Sequence, residues 1–148
     1  MKEKAEFVRL AWVFLLLFFI GKLVVGATGG SYSLGIRLFA MVPMAVHLCL
    51  VWGAMSRGLK GKGVGYAAMV GMMIAVGGQI LVFTGTLGSI ALDIPTHFSN
   101  PVAIFGSEQE VTFVAALAAR SIGVVINGVI GAVAGSIGWL FGGLLETA

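Results

Sequence analysis

The stretch VTFVAALAARSIGVVINGVIGAVAGSIGWLFGGLL, residues 111–145, decides the architecture. It is 35 residues long, about 52 Å as a helix at 1.5 Å per residue. The hydrocarbon core of a bilayer is only about 30 Å thick. Ser107-Glu108-Gln109-Glu110, just before it, matches the S-x-x-E capping box. A helix is therefore predicted to start at 108. Arg120 would mark the water interface, residues 108–121 would be extramembrane, and 122–145 would span. The competing reading is a kinked or re-entrant segment, since glycine-rich helices can break where protein covers the backbone.

Working outward, three further runs are long enough to span: 7–27, 34–55 and 64–88. The first begins like a signal peptide, with Lys2 and Lys4 ahead of an apolar run. That run continues to Val25, beyond the roughly 7 to 15 residues of a signal h-region, and reads as a retained span. Composition agrees. Of 148 residues, 59% are hydrophobic and 10% are charged, whereas soluble domains average about 25% charged. The expectation is an all-α integral membrane protein, a single four-helix transmembrane domain with a long outer loop, 89–107, and an extended fourth helix. The net charge of +3 is dispersed, with no basic stripe of the kind that binds nucleic acid.

The loops predict orientation. Lys2, Lys4, Arg9, Arg57, Lys60 and Lys62 fall on one side of a four-span arrangement. Only Lys22, Arg37 and Arg120 fall near the other. The positive-inside rule then places both termini in the cytoplasm of a multi-pass cell-membrane protein. The basic, glycine-rich GLKGKGVG, 58–65, reads as a cytoplasmic turn near lipid headgroups, not a phosphate loop.

Gly128, Gly131, Gly135, Gly138 and Gly142 are spaced 3, 4, 3, 4, so they share one helical face. The third span carries a matching stripe at Ala68, Gly71, Ala75, Gly78 and Gly85. Small residues let helices approach backbone to backbone in lipid, where burying apolar side chains gains little. The two stripes predict a tight seam between spans three and four, or one facing a second copy or a partner subunit. Span one is bulky all round and should face lipid on most sides.

Polar residues inside the spans need an account because they are costly there. Lys22 and Arg37 lie near span ends and can snorkel to headgroups. Arg120 and Asn127 are seven apart on one face, with Asn127 about 10 Å deeper. Gln79 of span three is the expected partner of Asn127. Pro43 removes a backbone donor and crowds the carbonyl of Phe39, so span two should kink. His47, four residues later, either bonds to a freed carbonyl or relays a proton. His47, Gln79, Arg120 and Asn127 form a candidate polar path.

Other chemistry finds little support. Asp93, His97, Glu108 and Glu110 in the outer segment are metal-ligand residue types, but D-x-x-x-H matches no strong motif, and no metal or cofactor is expected. That segment reads instead as a loop covering the bundle or docking on a partner. Cys49 is the only cysteine and reads as a small core residue. No nucleophile–base pair stands out, so an enzyme is not expected.

Three functions remain open. One is a non-catalytic subunit of a larger membrane complex, or a homo-oligomer, held by the glycine and alanine seams. The second is a small channel or transporter using the polar path. The third is a membrane redox or quinone-binding protein, for which His47 and the aromatic residues speak. The opening FVRLAWVFLLLFFIGKLV resembles that of the DoxX family of small four-helix membrane proteins, in Arg9-Leu10, the apolar run and Gly21-Lys22. Gly53 to Arg57 followed by an apolar span is also compatible with it. The resemblance covers the first half of the chain and implies a four-helix membrane bundle. Span four and the long outer loop depart from it, and no functional residue is carried over.

Overall fold

The computed structural model describes residues 2–145. They form α1 Lys2–Ala27, α2 Tyr32–Leu38, α3 Met41–Gly58, α4 Val64–Ala91, α5 Pro101–Phe105 and α6 Phe113–Leu145. Four stretches are long and apolar enough to cross a membrane: Lys2–Ala27, Tyr32–Gly58, Val64–Ala91 and Phe113–Leu144. Successive stretches run antiparallel. The Trp52 indole near the end of α3 donates to the carbonyl of Phe7 near the start of α1, at 2.7 Å. Trp139 near the end of α6 donates to the carbonyl of Lys62, just before α4, also at 2.7 Å. Arg57 lies over the Trp139 ring, 4.4 Å from its centroid. This basic end holds the start of α1 and the α3–α4 turn. The opposite end is capped by the chain between α4 and α6.

The second stretch is two helices, not one kinked helix over 34–55. Phe39 (φ −133°, ψ 55°) and Ala40 (φ −75°, ψ 95°) leave helical geometry, and α3 restarts at Met41. Pro43 explains the break. Its ring crowds the carbonyl four residues back, that of Phe39, and it has no N–H to offer it. In the first turn of a new helix that N–H has no intrahelical partner anyway. Freed from the helix, Phe39 packs over Gly21 of α1 and edge-on to Phe18, centroids 5.8 Å apart.

The fourth helix starts at Phe113, not at 108. Residues 107–112 are non-helical. Gly106 closes α5 in the left-handed region (φ 73°) and turns the chain before the capping box could act. Thr112 caps instead. Its hydroxyl accepts the N–H of Ala115 at 3.3 Å and its carbonyl that of Ala116 at 2.9 Å. Ala116 is buried, whereas 107–110 are exposed, so only the later start gains packing. From there α6 runs unbroken for 33 residues, about 50 Å. Arg120 lies against the bundle within it and does not project from it.

α6 sits in the groove between α3 and α4. A Cβ on Gly131 would lie 2.6 Å from the carbonyl oxygen of Gly71 and would also meet Ala75. Gly135 abuts Ala67 and Gly71 on α4 and Gly53 on α3. Gly138 abuts Leu50, and Gly142 abuts Ala54, both on α3. Gly128 faces Val76 at 3.2 Å. The α6 glycines are thus occupied within the chain, by two helices. On α4 the facing residues are Ala67, Gly71 and Ala75. Gly78 turns away to Leu15 and Ala45, and Gly85 to Phe19 and Phe98.

α1 packs on α2, α3 and α4 and makes no contact with α6. It buries only Val8, Ala11 and Leu15. Leu10, Leu16, Leu17, Ile20 and Val24 are exposed, as suits a helix facing lipid.

The seam sets a test. Gly135→Leu should cost about 3 kcal/mol or more by overpacking, and thermal unfolding of the detergent-solubilised protein should show loss of the cooperative transition. Gly65→Ala, where a Cβ meets nothing within 4 Å, should leave the transition in place.

Candidate functional site: a cationic chamber at the capped end

The chain between α4 and α6 folds inward. Thr96, His97 and Phe98 are 9%, 5% and 1% exposed. A tight turn prepares them. The N–H of Thr96 donates to the Ser99 hydroxyl and the N–H of Phe98 to the Thr96 hydroxyl, each at 3.1 Å. Ser89 of α4 holds the Thr96 hydroxyl at 2.7 Å. Phe98 slots beside Gly85, where the missing side chain leaves room, and packs on Phe19 with centroids 5.0 Å apart. The His97 ring bonds through Nε2 to the Gly30 carbonyl at 2.8 Å. It lies so close to Gly35 that a Cβ there would collide with it.

Thr86 is the node of this end. It is fully buried, its hydroxyl donates to the Phe98 carbonyl at 3.0 Å, and it accepts from Arg120 Nε at 3.0 Å. Arg120 also reaches the Phe98 carbonyl through Nη2 at 3.4 Å. Lys22 of α1 approaches from the other side, with Nζ 5.3 Å from the centroid of Phe98 and 6.0 Å from that of Tyr32.

Between them lies a chamber of about 220 Å³. Lys22, Tyr32, Pro43, Gln79, Phe98 and Arg120 are among its lining residues, and no carboxylate is. Asp93, Glu108 and Glu110 are exposed in the loops. Two cations of like sign therefore line one half-buried space. Gln79 of α4 lines the same chamber and is 7% exposed. Its amide makes no hydrogen bond among the described residues. Arg120 has five N–H donors, and only those to Thr86 and Phe98 are engaged within the protein. A half-buried ammonium, an incompletely used guanidinium and an idle amide converge on one space. Such a set recognises an oxyanion.

Of the residues singled out from sequence, the chamber brings together Gln79 and Arg120. His47 is on the exposed face of α3, where Nδ1 bonds to the Pro43 carbonyl at 2.7 Å. Asn127 donates to Gly123 of its own helix at 2.9 Å and does not bond to Gln79. Neither lines the chamber. Beyond Gln79 the interior is apolar, through Leu15, Ala45, Leu48, Cys49, Val70 and Ile74. The metal-ligand types of the outer segment are likewise dispersed, and the described residues contain no group of three or more that could hold a metal ion. Sequence reasoning missed Lys22, Tyr32 and Phe98 as site residues. Lys22 carried a signal, as the one charge within the apolar run 10–25 of span one.

The fold and the chamber together define a protein all-helical among its described residues, with four helical stretches able to cross a bilayer by length and composition and a charged cavity near one end. Comparison with protein families, with characterised proteins and with solved structures finds no match, so the DoxX-like opening is not accompanied by a family match.

Thr86→Val keeps the shape of the node and removes its hydroxyl. The expected cost is about 1–3 kcal/mol, since Arg120 Nε loses its acceptor and the Phe98 carbonyl keeps only the longer bond from Arg120 Nη2. Hydrogen exchange at residues 94–100 should accelerate. His47→Ala should shift stability by less than about 0.5 kcal/mol and leave that exchange unchanged.

Proposed function

We propose that this protein is a multi-pass membrane protein that binds an anionic ligand at the capped end, through Lys22 and Arg120 with Gln79 and Tyr32. One observation carries the reading: two cations line a single cavity that no carboxylate enters. Ionisable groups within membrane-spanning segments pair with one another or mark a ligand site. Here the two share a sign, so the partner that relieves them has to come from outside the chain. Gln79 supports the same reading, because its amide lines the same chamber without a hydrogen bond among the described residues and can donate to a ligand oxygen.

The apolar interior beyond Gln79 favours binding at one end over conduction through the monomer. The activity is therefore that of a non-catalytic ligand-binding protein, acting alone or within a larger membrane assembly. The glycine seam offers no argument for assembly, as α3 and α4 occupy it. Lys2, Lys4, Arg9, Arg57, Lys60 and Lys62 lie at the basic end, and the positive-inside rule places that end in the cytoplasm. The chamber then opens toward the outer face of the cell membrane.

The test is ligand-dependent stability of the protein in nanodiscs of zwitterionic lipid. Inorganic phosphate or acetate should raise the unfolding temperature relative to equal concentrations of chloride. A stabilisation of about 2.7 kcal/mol is expected at a hundred times the dissociation constant. Lys22→Gln, which removes a charge that makes no hydrogen bond, should abolish most of the shift. Equal shifts for the native protein and Lys22→Gln would overturn the proposal.

A further inference from the structure

Beside the chamber, between α1 and α4, lies a groove of about 330 Å³. Its walls include Phe19, Leu23, Gly85, Gly88, Leu92 and Ile94, and they are almost wholly apolar. The groove and the chamber lie on either side of one packed aromatic pair. Phe19 belongs to the groove, Phe98 to the chamber, and their ring centroids are 5.0 Å apart. Lys22 follows Phe19 by three residues on the same helical face and sits over the Phe98 ring. The cation therefore stands at the junction of an apolar slot and a polar chamber. At Gly88 the slot is hollow: a Cβ there would meet no atom within 4 Å.

We infer that the ligand is an acidic amphiphile, with its oxyanion head held by Lys22 and Arg120 and an acyl chain lying in the groove between α1 and α4. This rests on the anion-binding reading of the chamber. The order of chemistry along the two cavities matches such a molecule. Charge lies at the Lys22–Arg120 end, the packed pair Phe19 and Phe98 borders it, and the apolar slot lies on the other side of that pair. α1 and α4 are both membrane-crossing stretches, so the slot admits a chain directly from the bilayer. The head is a carboxylate or a phosphate, and the source is either a free fatty acid or an anionic membrane lipid. A zwitterionic lipid would fill the slot equally well, but its phosphate brings a quaternary ammonium with it and so adds a further cation beside Lys22 and Arg120; dependence on net charge therefore separates a bound ligand from ordinary surrounding lipid.

Native mass spectrometry of the detergent-purified protein, titrated with oleate, phosphatidylglycerol or phosphatidylcholine, tests this alongside thermal shifts with inorganic phosphate. Either oleate or phosphatidylglycerol should bind at least tenfold more tightly than phosphatidylcholine. Which of the two binds more tightly identifies the source. Gly88→Leu fills the slot with a residue that favours the helix. It should weaken the acidic amphiphile at least tenfold while leaving the shift with phosphate unchanged. Ala27→Leu, on the opposite wall, should do the same, while Lys22→Gln should weaken both. Equal binding of phosphatidylcholine, or undiminished amphiphile binding in both groove variants, would overturn the inference while leaving the anion site standing. If phosphate also fails to stabilise the native protein, the chamber reading falls with it.

Discussion

The contact of bare backbone on bare backbone along α6 is the constraint from which the rest follows. At Gly131, Gly135, Gly138 and Gly142 the helix comes so close to α3 and α4 that a side chain would meet a carbonyl or a Cα. In lipid this closeness substitutes for the hydrophobic drive available in water. Three helices, α3, α4 and α6, thereby form a tight core, and α1 is left on its outside. Because α1 and α6 do not touch, the capped end has a gap between them. The turn 96–99 enters that gap, Phe98 wedges beside Gly85, and the remaining space is the chamber. The chamber is thus a by-product of how close α6 comes to its two neighbours.

Much of the architecture was legible in the sequence, and the failures have separable causes. The four spans followed from hydropathy alone. The 3, 4, 3, 4 spacing found the α6 face, but a spacing does not say how many helices that face meets, and α3 shares it through Gly53, Leu50 and Ala54. On α4 the stripe was off by one residue at Ala67 and turned away at Gly78, because runs of small residues offer several near-equivalent faces. Pro43 was correctly seen as a perturbation, yet a break and a kink share the same local signal. What decided between them was a long-range contact, Phe39 packing over Gly21. The capping box at Ser107 failed for the complementary reason. It satisfies a first turn, but Gly106 and the lack of anything to bury made Thr112 the better start.

The site divides along another line. A polar side chain in a spanning helix can bond to a carbonyl of its own preceding turn. His47 and Asn127 both do so, and the sequence does not distinguish such a residue from one that reaches across. Gln79 and Arg120 reach a shared space because two elements far apart in sequence frame it. Lys22 was discounted because a lysine near a helix end has an easy route to the headgroups. The structure places Tyr32 and Phe98 beside it instead, and that neighbourhood is set by the loop.

Cys49 has a practical consequence. It is the only thiol in the chain, it is fully buried, and its S–H is engaged with the carbonyl of Gly71 at 3.2 Å. Towards a water-borne reagent the native protein is chemically silent. A cysteine placed at Leu59, 72% exposed in the basic turn, would answer such a reagent alone, with no background to remove. An impermeant maleimide added to intact cells would then report which side of the membrane that turn occupies.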